Sequence, residues 1–235
     1  MSTASHELHL SAEHSWLEVA SVIDHTLLKP DATQQQIIQL CEEAARYKFA
    51  CAFVNPTWAG LAVSMLAGTG VKVGAPVGFP LGATLITSKR AEALELVRMG
   101  VHDIDMVLNI GALKSGDRNT VSRDIKGVVE VAHDAGAIVK VILETCLLTI
   151  DEKIVACELA ATAKADFVKT STGFSTGGAT VDDVALMRGV VGHRAGVKAS
   201  GGIRSAQDLL SMVDAGANRI GTSVGVKIVT ELGAK

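Results

Sequence analysis

Aromatic side chains are scarce in this sequence: they make up 3% of its 235 residues, and Tyr47 is the only tyrosine. A surface that stacks bases needs more of them. A formal net charge of −3 also supplies no cationic field for nucleic acid or an anionic membrane. No apolar run approaches the roughly 20 residues that cross a bilayer. The opening "MSTASHELHLSAEHSW" lacks a basic segment followed by an apolar one, so it does not read as a secretory signal. The four cysteines, Cys41, Cys51, Cys146 and Cys157, form no CxxC pair and lie in apolar segments. That pattern fits small core thiols in a reducing compartment. Seven histidines show no HxxxH spacing, and His6, His9 and His14 crowd the N-terminus, so no metal is expected. The absences leave a cytoplasmic protein whose partner is a small molecule.

What is present is a steady alternation. Short apolar or β-branched runs occur at Val22–His25, Cys51–Asn55, Val71–Val77, Asp103–Asn109, Ile138–Glu144, Asp166–Thr170, Gly196–Ala199 and Arg219–Thr222. Helical patterns lie between them. "TQQQIIQLCEEAARY" opens on Thr33 as an N-cap and sets Ile37, Leu40, Cys41 and Ala44 on one face. "SKRAEALELVRMG" and "SAQDLLSMVDAG" end on Gly100 and Gly216 as helix-stop residues. Strands alternating with helices imply a parallel sheet covered by helices. Eight strands in a chain of this length fit an α/β (β/α)8 TIM barrel with a short N-terminal helix, about Ala12 to Ala20. An open doubly wound sheet would show a glycine-rich turn after its first strand, and "DHTLLKPDAT" stands there instead. No linker-like stretch divides the chain, so residues 1–235 read as a single domain with a mobile start over 1–11.

In a barrel the C-terminal strand ends form the active-site mouth. Asp24, Asp103, Asp105, Lys140, Glu144, Lys169 and Lys198 all fall at or near such ends. One lysine alone reads best as an ion pair or a side chain reaching solvent. Lys169 and Lys198 on adjacent strands, each beside a Gly/Ser/Thr loop, read differently. Like charge and desolvation both disfavour protonation, which leaves one amine neutral and able to attack a carbonyl. That chemistry belongs to an aldolase that uses an iminium as its electron sink. "ASGGIR" after strand seven and "GTSVG" after strand eight would bind a phosphate through backbone N–H groups. Lys140 and Glu144, four apart, are expected on one face of strand five, with Lys140 structural rather than catalytic. "VGFPLGAT" reads as a turn into the helix after strand three.

"IDHTLLKPDAT", "DIDMVLNIGALKSG", "DFVKTSTGF" and "VKASGGIR" resemble the ordered motif set of the deoxyribose-phosphate aldolase family, class I aldolases of TIM-barrel type. The similarity runs from about Ile23 to Thr230. The GGIR element alone would not be specific, since phosphosugar isomerase barrels contain similar turns. The resemblance implies that Lys169 forms the Schiff base and that Lys198 perturbs it. It implies that Asp105 moves protons with a water and that Asp24 supports the second lysine. Thr172, Gly173, Gly201, Gly202 and Ser223 match positions around the substrate phosphate. No cofactor is implied. The partners are phosphosugar and aldehyde substrates, with a homo-oligomer, a dimer by default, as the assembly.

Two departures stand out. Some members of the family use a tyrosine from a C-terminal tail, whereas the sequence ends "ELGAK" and offers only Tyr47, which leaves that work to Asp105 and water. The family's glycine after "TGF" is Ser175 here. A metal-free phosphosugar isomerase and a non-catalytic phosphosugar-binding barrel are the alternatives, and neither explains two lysines at one mouth.

Overall fold

The computed structural model describes residues 15–235. Eight strands, β1 (Ile23–Leu27), β2 (Cys51–Val54), β3 (Lys72–Val77), β4 (Asp103–Val107), β5 (Ile138–Ile142), β6 (Phe167–Lys169), β7 (Gly196–Ser200) and β8 (Arg219–Thr222), pair in sequence order. Every pairing is parallel, and β8 closes onto β1. Among the described residues the helices are α1 (Trp16–Ala20), α2 (Gln34–Tyr47), α3 (Ala59–Leu66), α4 (Ile86–Arg98) and α5 (Ile110–Lys114). They continue as α6 (Arg118–Asp134), α7 (Ile150–Thr162), α8 (Val181–Val191), α9 (Ala206–Asp214) and α10 (Gly225–Glu231). The expected N-terminal helix is α1. The part of it proposed before Ser15 and the mobile start over 1–11 lie outside the described residues.

Local sequence explains where the helices begin. Thr33 and Gln36 cap each other's backbone at α2, as Thr149 and Glu152 do at α7 and Ser205 and Asp208 at α9. Ile37, Leu40, Cys41 and Ala44 form the buried stripe of α2. Several expected strand ends move by one or two residues, and two of these bear on the site. β4 stops at Val107 because Asn109 turns to cap α5, its side chain accepting from the Ala112 N–H at 3.1 Å. β5 stops at Ile142, and Glu144 adopts a left-handed φ of 57°. Glu144 therefore does not share a strand face with Lys140, which corrects the expectation from their spacing.

Alternation along each strand gives the barrel two unlike faces. Outward residues such as Ile23, Val54, Ala75, Ile104, Met106, Val141, Val168, Val197 and Ile220 are fully buried in one apolar core beneath the helices. The inward face carries Asp24, Asp103, Asp105, Lys140, Lys169, Lys198 and Arg219, where barrels commonly hold branched aliphatics. Two inward phenylalanines fit only because the next strand offers glycine. A Cβ at Gly74 would lie 2.3 Å from the Phe53 ring, and one at Gly196 2.3 Å from the Phe167 ring. The fold thus gathers most of its buried charge inside the barrel, with the Lys89–Asp124 pair between α4 and α6 as the buried charge of the outer layer.

Candidate active site

Strand register brings the expected residues together. Lys169, last residue of β6, sits beside Lys198 on β7. Both ammonium groups donate to one oxygen, Asp105 Oδ2, at 2.8 Å and 2.7 Å. Lys198 also donates to Asp24 Oδ2 at 2.5 Å. Below them, Lys140 Nζ donates to Asp103 Oδ2 at 2.6 Å and lies 3.1 Å from Asp105 Oδ1. That Oδ1 atom is buried and accepts no hydrogen bond, so it keeps acceptor capacity at the centre of the site. Arg219 closes the network, donating to Asp24 Oδ1 at 2.8 Å and reaching Asp103 Oδ2 at 3.4 Å. The Phe53 ring lies 4.4 Å from Lys198 Nζ, 5.3 Å from Lys169 Nζ and 5.7 Å from Lys140 Nζ.

The cations differ in fate. Burial pushes Lys169 down from 10.5 to about 8; Asp105 pulls the other way, and Lys198 adds repulsion. Burial would lower Lys140 too, but Asp103, Asp105 and Asp24 outweigh it and hold that ammonium well above its ordinary range. Burial would raise Asp105, yet Lys140, Lys169 and Lys198 hold its carboxyl far below the usual carboxylate range. Asp24 is lowered in the same way, against its burial, by Lys198 and Arg219. At pH 7 the drop to about 8 enlarges the neutral fraction of Lys169 by roughly 300-fold. The largest cause of the lowering at Lys169 is burial, ahead of the charge of its neighbour Lys198.

The cleft above Lys169 is walled by Thr172, Gly173, Phe174, Ser200 to Arg204, Gly221 to Ser223 and Thr26 to Lys29. All five residues expected around a phosphate are therefore on it. The backbone N–H groups of Gly173, Gly201, Gly202 and Ser223 donate to no acceptor among the described residues. Gly201 and Gly202 both hold φ 85°, a conformation that a side chain would strain. Thr172 is otherwise engaged: its N–H and its hydroxyl both donate to Glu144, and its Oγ1 accepts from the Phe174 N–H at 3.0 Å. Lys29 and Arg204, exposed at the cleft lip, were missed in the sequence although they stand inside the quoted "TLLKP" and "GGIR" runs.

Asp24, Cys51 and Asp103 hold donor atoms within 4.8 Å of one another, the spacing of a metal site. Each carboxylate oxygen of the group already faces a cation or His102, so the donor set suits a charge network and not an ion. Tyr47 stacks near Phe49 in the outer core, with ring centroids 5.9 Å apart, and takes no part in the cleft. No helix among the described residues is long and apolar enough to cross a membrane.

Known proteins resemble this chain over nearly its whole length. The deoxyribose-phosphate aldolase of Brevibacillus brevis is 58% identical over 213 residues, covering 91% of this chain and 95% of that protein. That of Caldanaerobacter subterraneus subsp. tengcongensis is 57% identical over 223 residues, covering 94% and 96%. The tetrameric deoxyribose phosphate aldolase of Aeropyrum pernix superposes with a TM-score of 0.88 at 37% identity, covering 94% of this chain and 93% of that one. The sequence model of the DeoC/LacD family aldolases matches residues 18–230. The chain belongs to the DeoC/LacD aldolase family.

Proposed function

We propose that this chain catalyses the reversible cleavage of 2-deoxy-D-ribose 5-phosphate into acetaldehyde and D-glyceraldehyde 3-phosphate. The observation that carries the reading is a buried amine of lowered pKa, Lys169, in one cleft with four unpaired backbone N–H donors. The donors of Gly173, Gly201, Gly202 and Ser223 take the phosphate, and Thr172 fixes their loop through Glu144. Anchoring that end presents C1 of the open-chain sugar to Lys169. The neutral amine adds to C1, and loss of water gives the iminium. A base removes the C3 hydroxyl proton, the C2–C3 bond breaks, and its electrons pass into the iminium to give an enamine. Asp105, acting through water at its open Oδ1, carries the proton out and returns one to C2. Lys198, held by Asp24, and Lys140 keep Asp105 ionised and in place. Hydrolysis then frees acetaldehyde and the amine. No step requires a cofactor.

Borohydride added with acetaldehyde reduces the imine and leaves an ethyl group on Lys169, which peptide mass mapping locates. Activity is lost in step with labelling. A Lys169→Ala variant that keeps its activity, or a label on another lysine, removes the reading. The assembly proposed is a homo-oligomer, a dimer by default, supported by rim leucines Leu81 and Leu85 at 72% and 71% exposure. A monomer in light scattering would contradict it.

A further inference from the structure

The charges inside the barrel do not balance. Asp24 projects from β1, Asp103 and Asp105 from β4, Lys140 from β5, Lys169 from β6, Lys198 from β7 and Arg219 from β8. Strand β2 adds Cys51, whose thiol is kept neutral by burial and by Asp103 and Asp24. Strand β3 adds Gly74 and Pro76, and Lys72 on the same strand lies exposed at its foot. Glu144, past the end of β5, is committed to Thr172. His102 stands outside, 38% exposed, with Nδ1 at 2.9 Å from Asp103 Oδ1. Four cations therefore share three carboxylates in the barrel interior.

We infer that Arg219, at the barrel's foot and away from the substrate cleft, is the positioning residue that makes a proton on the reactive lysine a surplus charge, by taking up the carboxylate charge of Asp24 and part of that of Asp103. The geometry supports this directly. Arg219 takes Asp24 Oδ1 and shares Asp103 Oδ2, so Lys140 and Lys198 complete their pairing with what is left. The remaining carboxylate, Asp105, already has Lys198 and Lys140 within 3.1 Å, and a proton on Lys169 is a surplus charge. Guanidinium cannot yield its proton, so the surplus falls on an amine. Lys169 is the amine with the fewest carboxylates: it reaches Asp105 alone, whereas Lys198 reaches two and Lys140 three. Take Arg219 away and the interior is neutral with Lys169 protonated. The proton it gains goes to that amine before any carboxyl, because the three carboxyls are all held below their ordinary range.

This inference rests on Lys169 as the Schiff-base residue, and its test separates the two. The readout is the pH dependence of Lys169 ethylation by acetaldehyde with cyanoborohydride, followed by mass spectrometry, beside the acid limb of kcat/KM. In Arg219→Met the midpoint of both moves up on the order of one pH unit, with labelling about tenfold slower well below it. Arg219→Lys, which keeps the charge, leaves the midpoint where it was. Asp103→Asn enlarges the surplus and moves the midpoint down. An unmoved midpoint in Arg219→Met, or an equal upward shift in Arg219→Lys, overturns the inference. Should Arg219→Met not fold, the direction in Asp103→Asn decides, and an upward or absent shift there overturns it equally. If the unaltered chain is not labelled at Lys169 at all, the proposed function fails instead.

Discussion

Ile104 and Asp105 are neighbours on β4, both with no measurable exposure, and they live in different media. Ile104 points into the layer between strands and helices, among Ala, Val, Leu and Ile side chains. Asp105 points into the barrel, among three lysines. The outer layer supplies the apolar burial that holds the fold together. The inner one is an array of ions whose pairing outweighs burial at Asp24, Asp103, Asp105 and Lys140 and falls short at Lys169. Stability and chemistry have been given largely opposite faces of the same eight strands, which explains how a barrel can keep an easily deprotonated amine in its interior without losing its core.

The largest expected effect comes from the inner face. Asp105→Asn removes the carboxylate that Lys169, Lys198 and Lys140 share, so aldol turnover should vanish. Breaking a buried pair from one side costs about 3–5 kcal/mol, measured by denaturant unfolding. The sign with pH distinguishes this loss from a packing defect. Asp105 has a folded-state pKa below its ordinary 3.8, so its contribution is present above that value and fades as pH falls below it. The gap between Asp105→Asn and the parent should therefore narrow in acid. A gap constant from neutral pH down to about 3 would mean that Asp105 acts by shape alone.

Next comes the other face. Ile104→Ala opens a cavity in the outer core and should cost about 2–5 kcal/mol. Its penalty should not follow pH, because the change removes only apolar atoms from an apolar cluster, and the pH profile of Lys169 trapping should stay put. A shifted profile in Ile104→Ala would show that the two faces are coupled through the strand, against the separation argued above.

Much of this division could be read in the sequence. Strand starts and the strand-helix rhythm were legible because β-branched runs and N-cap residues act locally, as Thr33 and Ser205 do. Lys169, Lys198, Asp105 and Asp24 were legible as strand-end charges, and the structure joins them through shared oxygens. Arg219 and Asp103 were not assigned to the site, nor Lys140 to a partner. Parity tells which side of a strand a residue takes, but the stagger between strands, which pairs Asp24 with Gly221 and leaves Arg219 two residues below within reach of the Asp24 carboxylate, follows from closing the sheet. Glu144 was misplaced for another reason. A left-handed φ on a glutamate has no sequence cue, and its partner Thr172 lies 28 residues away.

The smallest effect is expected at the rim, which belongs to neither face. Ser175 is half-buried on the loop after β6, and its Oγ accepts only a weak bond from Cys146 Sγ at 3.4 Å. Ser175→Gly removes that contact and loosens the unfolded and folded loop alike, so stability should change by less than about 0.5 kcal/mol. The loop also carries Thr172 and Gly173, so any effect should appear in KM for the phosphosugar, with kcat and the trapping profile unchanged. Equal KM values for parent and variant would mean that Glu144 alone holds the loop through Thr172. A fall in kcat would place the rim closer to the chemistry than its exposure suggests.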